Sequence, residues 1–278
     1  MPELPEVESV RRGLEPHLVG SRVVQARARR PEYVRAGRRS PAALLQGDAI
    51  AAVTRLGKHL ALQATSGRVV VLHLGMSGQV LVLPASQSLR DITHAHITWT
   101  VQPTDGTPRR IVMRDPRRFG GVWTLPDPDA LAAHWAGLGP DALHCTAARL
   151  RTALAGSRAP VKARLLDQAT VAGIGNIYAD EALHQAGIHP LTPAGELGPD
   201  ACRTLAAAVR RVLRAAVRAG GSTLSDFVHP DGTPGTYRLR HAVYGRGGEA
   251  CRGCGEMLAS ALVAQRTTVW CPRCQPRG

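Results

Sequence analysis

An α+β fold is predicted: an N-terminal antiparallel β-sandwich opened by one helix, then a helical region, then a cysteine-bearing hairpin. Three observations carry it. Leu4, Val7, Val10, Leu14 and Leu18 recur at helical spacing. Short apolar runs separated by turn signals then fill Val23 to Pro126. From about Asp127 the periodicity is helical until four paired cysteines close the chain.

Residues 5–19 read as an amphipathic helix with Pro5 in its first turn. Ala95, Ile97, Trp99 and Val101 alternate with His94, His96, Thr98 and Thr100, the mark of a half-buried strand. Val69–Leu74, Val80–Leu83, Arg110–Met113 and Val122–Leu125 are further strands. Thr65-Ser66-Gly67, Gly75-Met76-Ser77-Gly78 and Asp105-Gly106 punctuate them. Strands this close in sequence suit an antiparallel sandwich. Helices follow at Asp127–Ala136, Thr146–Leu154, Pro160–Asp167, Ile177–Ala186 and Pro199–Ala219, the last stopped by Gly220-Gly221.

The 278 residues suit two domains. No apolar run reaches the ~18 residues of a membrane span, and the basic-then-apolar order of a signal peptide is missing. A cytoplasmic, nucleoid-associated protein without a membrane partner is expected. The formal charge of +14 indicates a polyanion partner, and residues 203–278 hold twelve Arg against four acids. Only Lys58 and Lys162 are lysines among 35 basic residues. A lysine that persists in so Arg-biased a chain is a candidate for work that a guanidinium cannot do.

Four constellations carry chemistry. With Met1 trimmed, the chain would begin at the secondary amine of Pro2, and an α-amine titrates near pH ~8 against ~10.4 for lysine. Such an amine forms Schiff bases, and Glu3 and Glu6, three apart, stand ready to move protons. Ordinary helix-start chemistry explains the same six residues equally simply. Cys251-x2-Cys254-x16-Cys271-x2-Cys274 matches a tetrathiolate structural zinc site, with disulfides or a redox pair as the weaker readings. Gln265-Arg266-Thr267-Thr268 would form the tip of that hairpin, suited to phosphate. The turn Gly173-Ile-Gly175-Asn176 sets backbone amides, with Asn176 as N-cap, before a helix, an anion site in helix–turn–helix pairs. Arg117, Arg118 and Phe119 in Asp115-Pro-Arg-Arg-Phe-Gly120, with Met76 in its glycine-flanked turn, suit insertion into a base stack.

Pro2-Glu3-Leu4-Pro5-Glu6, Gly57-Lys58, His73-Leu-Gly-Met76-Ser-Gly, Asp115-Pro-Arg-Arg-Phe-Gly, Gly173-Ile-Gly-Asn176-Ile-Tyr, Gly220-Gly-Ser222-Thr223-Leu, Val243-Tyr244-Gly-Arg246 and the cysteine finger occur here in one order. The chain thereby resembles bacterial formamidopyrimidine-DNA glycosylases, and Leu4 favours that branch over endonuclease VIII, which acts on oxidised pyrimidines. The resemblance implies a helix-two-turn-helix domain and a zinc hairpin after the sandwich. Expected boundaries are 1–130 (catalytic sandwich), 131–150 (linker), 151–240 (helix-two-turn-helix) and 241–278 (zinc finger). It implies a bifunctional glycosylase and abasic-site lyase acting as a monomer on duplex DNA that contains oxidised purines.

Roles follow from the same resemblance. Pro2 would be the nucleophile and Glu3 the proton donor to the sugar, while Glu6 would help hold and activate the amine or a water. Lys58, Asn176 and Arg266 would hold phosphates, with Lys162 as a second pocket lysine. Met76, Arg117 and Phe119 would fill the void left by the flipped base. His73, Arg118 and Tyr244 would contact DNA, and the loop 220–237 with Ser222 and Thr223 would form a lid. A non-catalytic zinc protein that binds DNA is the rival reading, and the Pro2-Glu3 start speaks against it.

Overall fold

The computed structural model of the protein describes residues 1–104, 106–224 and 226–277. Asp105 of one expected turn and Ser225 of the expected lid lie outside the described residues. The chain forms two units, Met1–Gly137 with Ala219–Thr236, and Leu138–Arg218 with Tyr237–Gly278. It therefore passes between units at 137/138, inside the expected linker. The 219–236 segment belongs with the N-terminal unit, although it falls inside the expected 151–240. Gly220 and Gly221, at φ +73 and +81, end the long helix and turn the chain away. It is then tied down by Val82 N–H donating to Pro230 O (2.8 Å).

Among the described residues of the first unit, α1 (Leu4–Leu18) precedes nine strands: β1 (Arg22–Ala28), β2 (Val34–Ala36), β3 (Ile50–Leu56), β4 (His59–Ala64), β5 (Val69–His73), β6 (Gln79–Pro84), β7 (Ala95–Gln102), β8 (Arg109–Arg114) and β9 (Gly121–Leu125). One sheet runs β1-β7-β8-β6 and the other β2-β9-β5-β4-β3. Pairing is antiparallel except for β2 on β9. The two inner faces share one core with Val7, Val10, Leu14 and Leu18 of α1, so the helix stripe and the sheet faces bury each other. Glu8, buried on α1, meets Arg55 (3.0 Å) and Arg12 (2.8 Å). Burial pushes its pKa up, but hydrogen bonds from Arg11, Arg12 and Arg55 prevail and hold it at about 2. The expected alternation along β7 is incomplete, since His96 and Thr98 are buried as well. His96 is turned inward by contact of its Nε2 with Asp115 O (2.8 Å) and by the Tyr33 ring. A short helix α2 (Pro128–Trp135) is N-capped by Asp127 and covers the outer face through Leu131.

The second unit contains α3 (Ala147–Leu154), α4 (Val161–Leu166), α5 (Asn176–Ala186) and α6 (Pro199–Arg218), then the hairpin β10 (Ala259–Val263) and β11 (Arg266–Trp270). The α6 stripe Leu205, Val209, Val212, Leu213, Ala216 and Val217 is buried, and α6 packs on α3 and α5. The α+β reading therefore holds. Among the described residues, no helix is long and apolar enough to cross a membrane.

Candidate nucleic-acid interface and catalytic residues

In the first unit, Pro2 is buried and Glu3 is the N-cap of α1, with Pro5 in the first turn. Glu3 N–H donates to Glu6 Oε2 (2.8 Å), and Ser222 N–H donates to Glu6 Oε1 (2.7 Å). Glu6 therefore couples the chain start to the 219–236 segment. A side chain on Gly221 would run into Glu6 Oε1, so this close approach requires glycine. Glu3, Glu6 and Lys58 are all nearly inaccessible to solvent. Lys58 sits on the two-residue turn between β3 and β4, beside Gly57 at φ +56. Thr223 Oγ1 donates to Phe227 O (3.0 Å) and accepts from Gly235 N–H (2.8 Å), which closes the base of the segment.

His73 is pushed down to about 4, by burial first and then by Lys58. Gly75 N–H donates to its Nδ1 (3.1 Å). At neutral pH the ring is thus uncharged, with its proton on Nε2.

Met76, Arg117, Arg118 and Phe119 are exposed on two turns that touch; a Cβ on Gly75 would collide with Phe119 and Gly120 backbone. The Arg117 guanidinium stands 5.9 Å from the Phe119 ring and 3.7 Å from Asp226. Buried Asp115 organises this corner. Its carboxylate accepts from Ser77 Oγ (2.5 Å), Tyr33 Oη (3.1 Å) and Gly120 N–H (2.8 Å). The arrangement leaves a basic and an aromatic side chain projecting from a fixed backbone.

In the second unit, the N-cap of α5 is Gly175, not Asn176. Asn176 is the first helical residue, and its Nδ2 donates to Thr267 O on β11 (2.9 Å). Gln168 closes the preceding loop through Ile174 O and Gly173 N–H (both 2.9 Å). Lys162, expected in a pocket, is fully buried. Its ammonium meets Asp180 (2.7 Å), Thr268 Oγ1 (2.6 Å) and Thr267 O (3.3 Å). It ties α4 and α5 to the hairpin strand that begins with Arg266. Burial lifts the Asp180 carboxyl to about 6 against the opposing pull of Lys162. The hairpin turns at Ala264 and Gln265, both left-handed at φ +48 and +58, so Arg266 opens β11 rather than lying in the tip. Glu181 accepts from the amides of Ala242, Val243 and Tyr244 (2.9 Å each), which orders the segment carrying Tyr244.

The thiol sulfurs of Cys251, Cys254, Cys271 and Cys274 all lie within 4.8 Å of one another. A tetrahedral ion with Zn–S bonds of ~2.3 Å needs sulfurs ~3.8 Å apart, so the cluster fits zinc. The donor set leaves no position for water, and the metal is one structural Zn2+.

Sequence motifs led to the chain start and the exposed turns. Tyr33, Asp180 and Glu181 escaped them, and so did the role of Asp115, because most of their partners lie far away in the chain. A cluster of His59, His134 and Trp123 on the outer sheet face carried no sequence signal either.

Three family descriptions cover most of the chain: the formamidopyrimidine-DNA glycosylase N-terminal domain (residues 1–122), the formamidopyrimidine-DNA glycosylase H2TH domain (137–228) and the zinc finger found in FPG and IleRS (248–277). A formamidopyrimidine-DNA glycosylase of Xanthomonas oryzae pv. oryzae is 46% identical over 279 residues, 99% of this chain and 100% of the relative. A Lactococcus lactis FPG variant in complex with Fapy-dG-containing DNA superposes with a TM-score of 0.89 at 30% identity, covering 99% of this chain and 100% of that one. The FPG protein of Thermus thermophilus gives 0.84 at 39% identity, with both chains covered completely. Fold, finger and site together define a zinc-finger DNA glycosylase of base excision repair. Within that class, the chain belongs to the formamidopyrimidine-DNA glycosylase family.

Proposed function

We propose that the protein excises oxidised purines, 8-oxoguanine and formamidopyrimidines, from duplex DNA and then cuts the abasic strand through a Schiff base on Pro2. The observation that carries this reading is the buried Pro2-Glu3 start locked onto Glu6 and Ser222. With Met1 removed, this start becomes an enclosed secondary amine beside two carboxylates, for which plain DNA binding has no use.

The lesion nucleotide is first flipped from the stack, at a cost of a few kcal/mol. After loss of Met1, the Pro2 nitrogen attacks the sugar C1′ and the damaged base departs. Glu3 delivers a proton to the ring oxygen, the sugar opens, and the C1′ iminium draws electrons through β- and then δ-elimination. Glu6 holds the 222 segment closed through its bond to Ser222 N–H, and Ser222 and Thr223 lie against the extruded base. Lys58 in the first unit, and Asn176 and Arg266 in the second, contact phosphates. Neutral His73 adds a hydrogen bond through Nε2–H, and Arg118 and Tyr244 add further backbone contacts. Met76 and Phe119 occupy the vacated stack, and Arg117 meets the orphaned cytosine. Lys162 supports the site indirectly, through Thr267. The protein acts as a monomer.

Borohydride reduction during turnover of an 8-oxoguanine duplex tests the reading. It should trap a covalent complex with the native protein and none with an uncleavable N-terminal fusion, whose Pro2 nitrogen is an amide. Trapping at the native level by that fusion overturns the assignment of the nucleophile.

A further inference from the structure

We propose that Arg35, with Tyr33 beneath it, is a positioning residue that sets how strictly the enzyme reads the base opposite the lesion. The inference rests on the reading of Arg117 as the group that meets that base.

The turn bearing Arg117 and Phe119 is not one the sequence adopts readily. Arg118 has φ +57, a left-handed conformation that is unfavourable for a residue with a Cβ. Something must hold it, and Arg35 does so from β2. Its Nη2 donates to Arg118 O (2.6 Å) and to Gly120 O (2.9 Å), and its Nε donates to Gly120 O (3.1 Å). These two carbonyls flank Phe119. Nη2 reaches both carbonyls, and Nε gives the guanidinium a second hold on Gly120 O.

Arg35 is itself placed. Its stem lies over Gly121, where any Cβ would strike it, and its guanidinium stands 5.8 Å from the Tyr33 ring centroid. The Tyr33 hydroxyl donates to the same Asp115 carboxylate that takes Gly120 N–H. From the other side, Ser77 Oγ accepts from Arg117 N–H (3.1 Å). The backbone from Arg117 to Gly120 is thus fixed at both ends, while the Arg117 and Phe119 side chains remain exposed.

This bears on specificity because cytosine presents acceptors at O2 and N3, which suit a donor-only guanidinium, whereas adenine presents an amine. That distinction holds only if Arg117 arrives at a fixed distance. A loosened turn lets it adjust to either base, and displacement of about 1 Å changes rates by up to ~100-fold. Phe119 fills space without reading a base and tolerates the same loosening.

Single-turnover cleavage by wild type and Arg35→Ala is compared on 8-oxoguanine opposite cytosine, 8-oxoguanine opposite adenine, and a single-stranded abasic oligonucleotide. The last has no opposite base. Arg35→Ala should narrow the cytosine-to-adenine ratio by roughly five- to twentyfold and leave single-strand cleavage within about twofold of wild type. Tyr33→Phe should narrow it in the same direction by less, and serves if Arg35→Ala does not fold. An unchanged ratio, or equal losses on all three substrates, overturns the inference. A wild type that does not discriminate overturns the reading of Arg117 on which it rests, before any variant is compared.

Discussion

His59, His73 and His134 gather with Trp123 on the outer face of the second sheet, with ring centroids 5.0 to 6.3 Å apart. His59 is pushed down to about 3, by burial first and then by His73, His134 and Lys58, and His73 to about 4. The unfolded chain takes up these protons near pH ~6.5, whereas the fold refuses them until about pH 3 to 4. Stability should therefore fall as pH falls through that window, because the unfolded state binds more protons. His59→Phe removes one such group. Between pH ~7.5 and ~5 it should lose roughly 2 kcal/mol less unfolding free energy than wild type, measured by urea titration at both values. Equal losses would mean that His59 is protonated in the fold. Lys58 adds to burial in holding both rings neutral, so the lysine expected to touch phosphate also bears on the charge of its neighbours.

Elements were legible where periodicity or spacing is local. The first helix, the strands from 69 to 125 and all five later helices lie within a residue or two of their predicted places, since each is defined by apolar residues a few positions apart. The parallel β2 was not legible: three residues carry no period, and their pairing partner lies almost ninety residues on. The same distance hid the corner around Asp115, where Tyr33 and Ser77 join residues no local pattern connects. Lys162 was singled out by its rarity, but composition does not tell a buried tie from a pocket amine. The zinc site was legible, because metal chemistry fixes cysteine spacing, but the hairpin tip was misplaced by two residues, since Ala264 and Gln265 make the turn. That hairpin carries Arg266, and β11 supplies the Thr267 carbonyl to Asn176 and Lys162. Metal loss should therefore reach beyond the finger. Cys271→Ser is expected to release zinc and to weaken DNA binding together, read by metal content and by gel shift on one preparation. Full affinity without metal would show that β11 holds its place unaided.

Across the whole molecule, a charge of +14 makes phosphate attraction the first step of recognition. Each charged contact to duplex phosphate releases a condensed cation, so log Kd should vary with log salt by ~0.9 per contact. This separates the candidate contacts by charge rather than by affinity. Arg266 is a cation, whereas Asn176 is neutral. His73 is neutral too at pH 7, because burial and Lys58 hold it down to about 4. Arg266→Ala should reduce the salt slope by about 1. Asn176→Ala and His73→Ala should weaken binding while the slope stays as in wild type. The measurement is fluorescence anisotropy on one lesion-free duplex from ~50 to ~200 mM salt, a span over which several phosphate contacts change affinity by orders of magnitude. A reduced slope for His73→Ala would mean that DNA protonates the ring on binding. An unchanged slope for Arg266→Ala would remove it from the phosphate contacts and leave the hairpin acting through Thr267 alone.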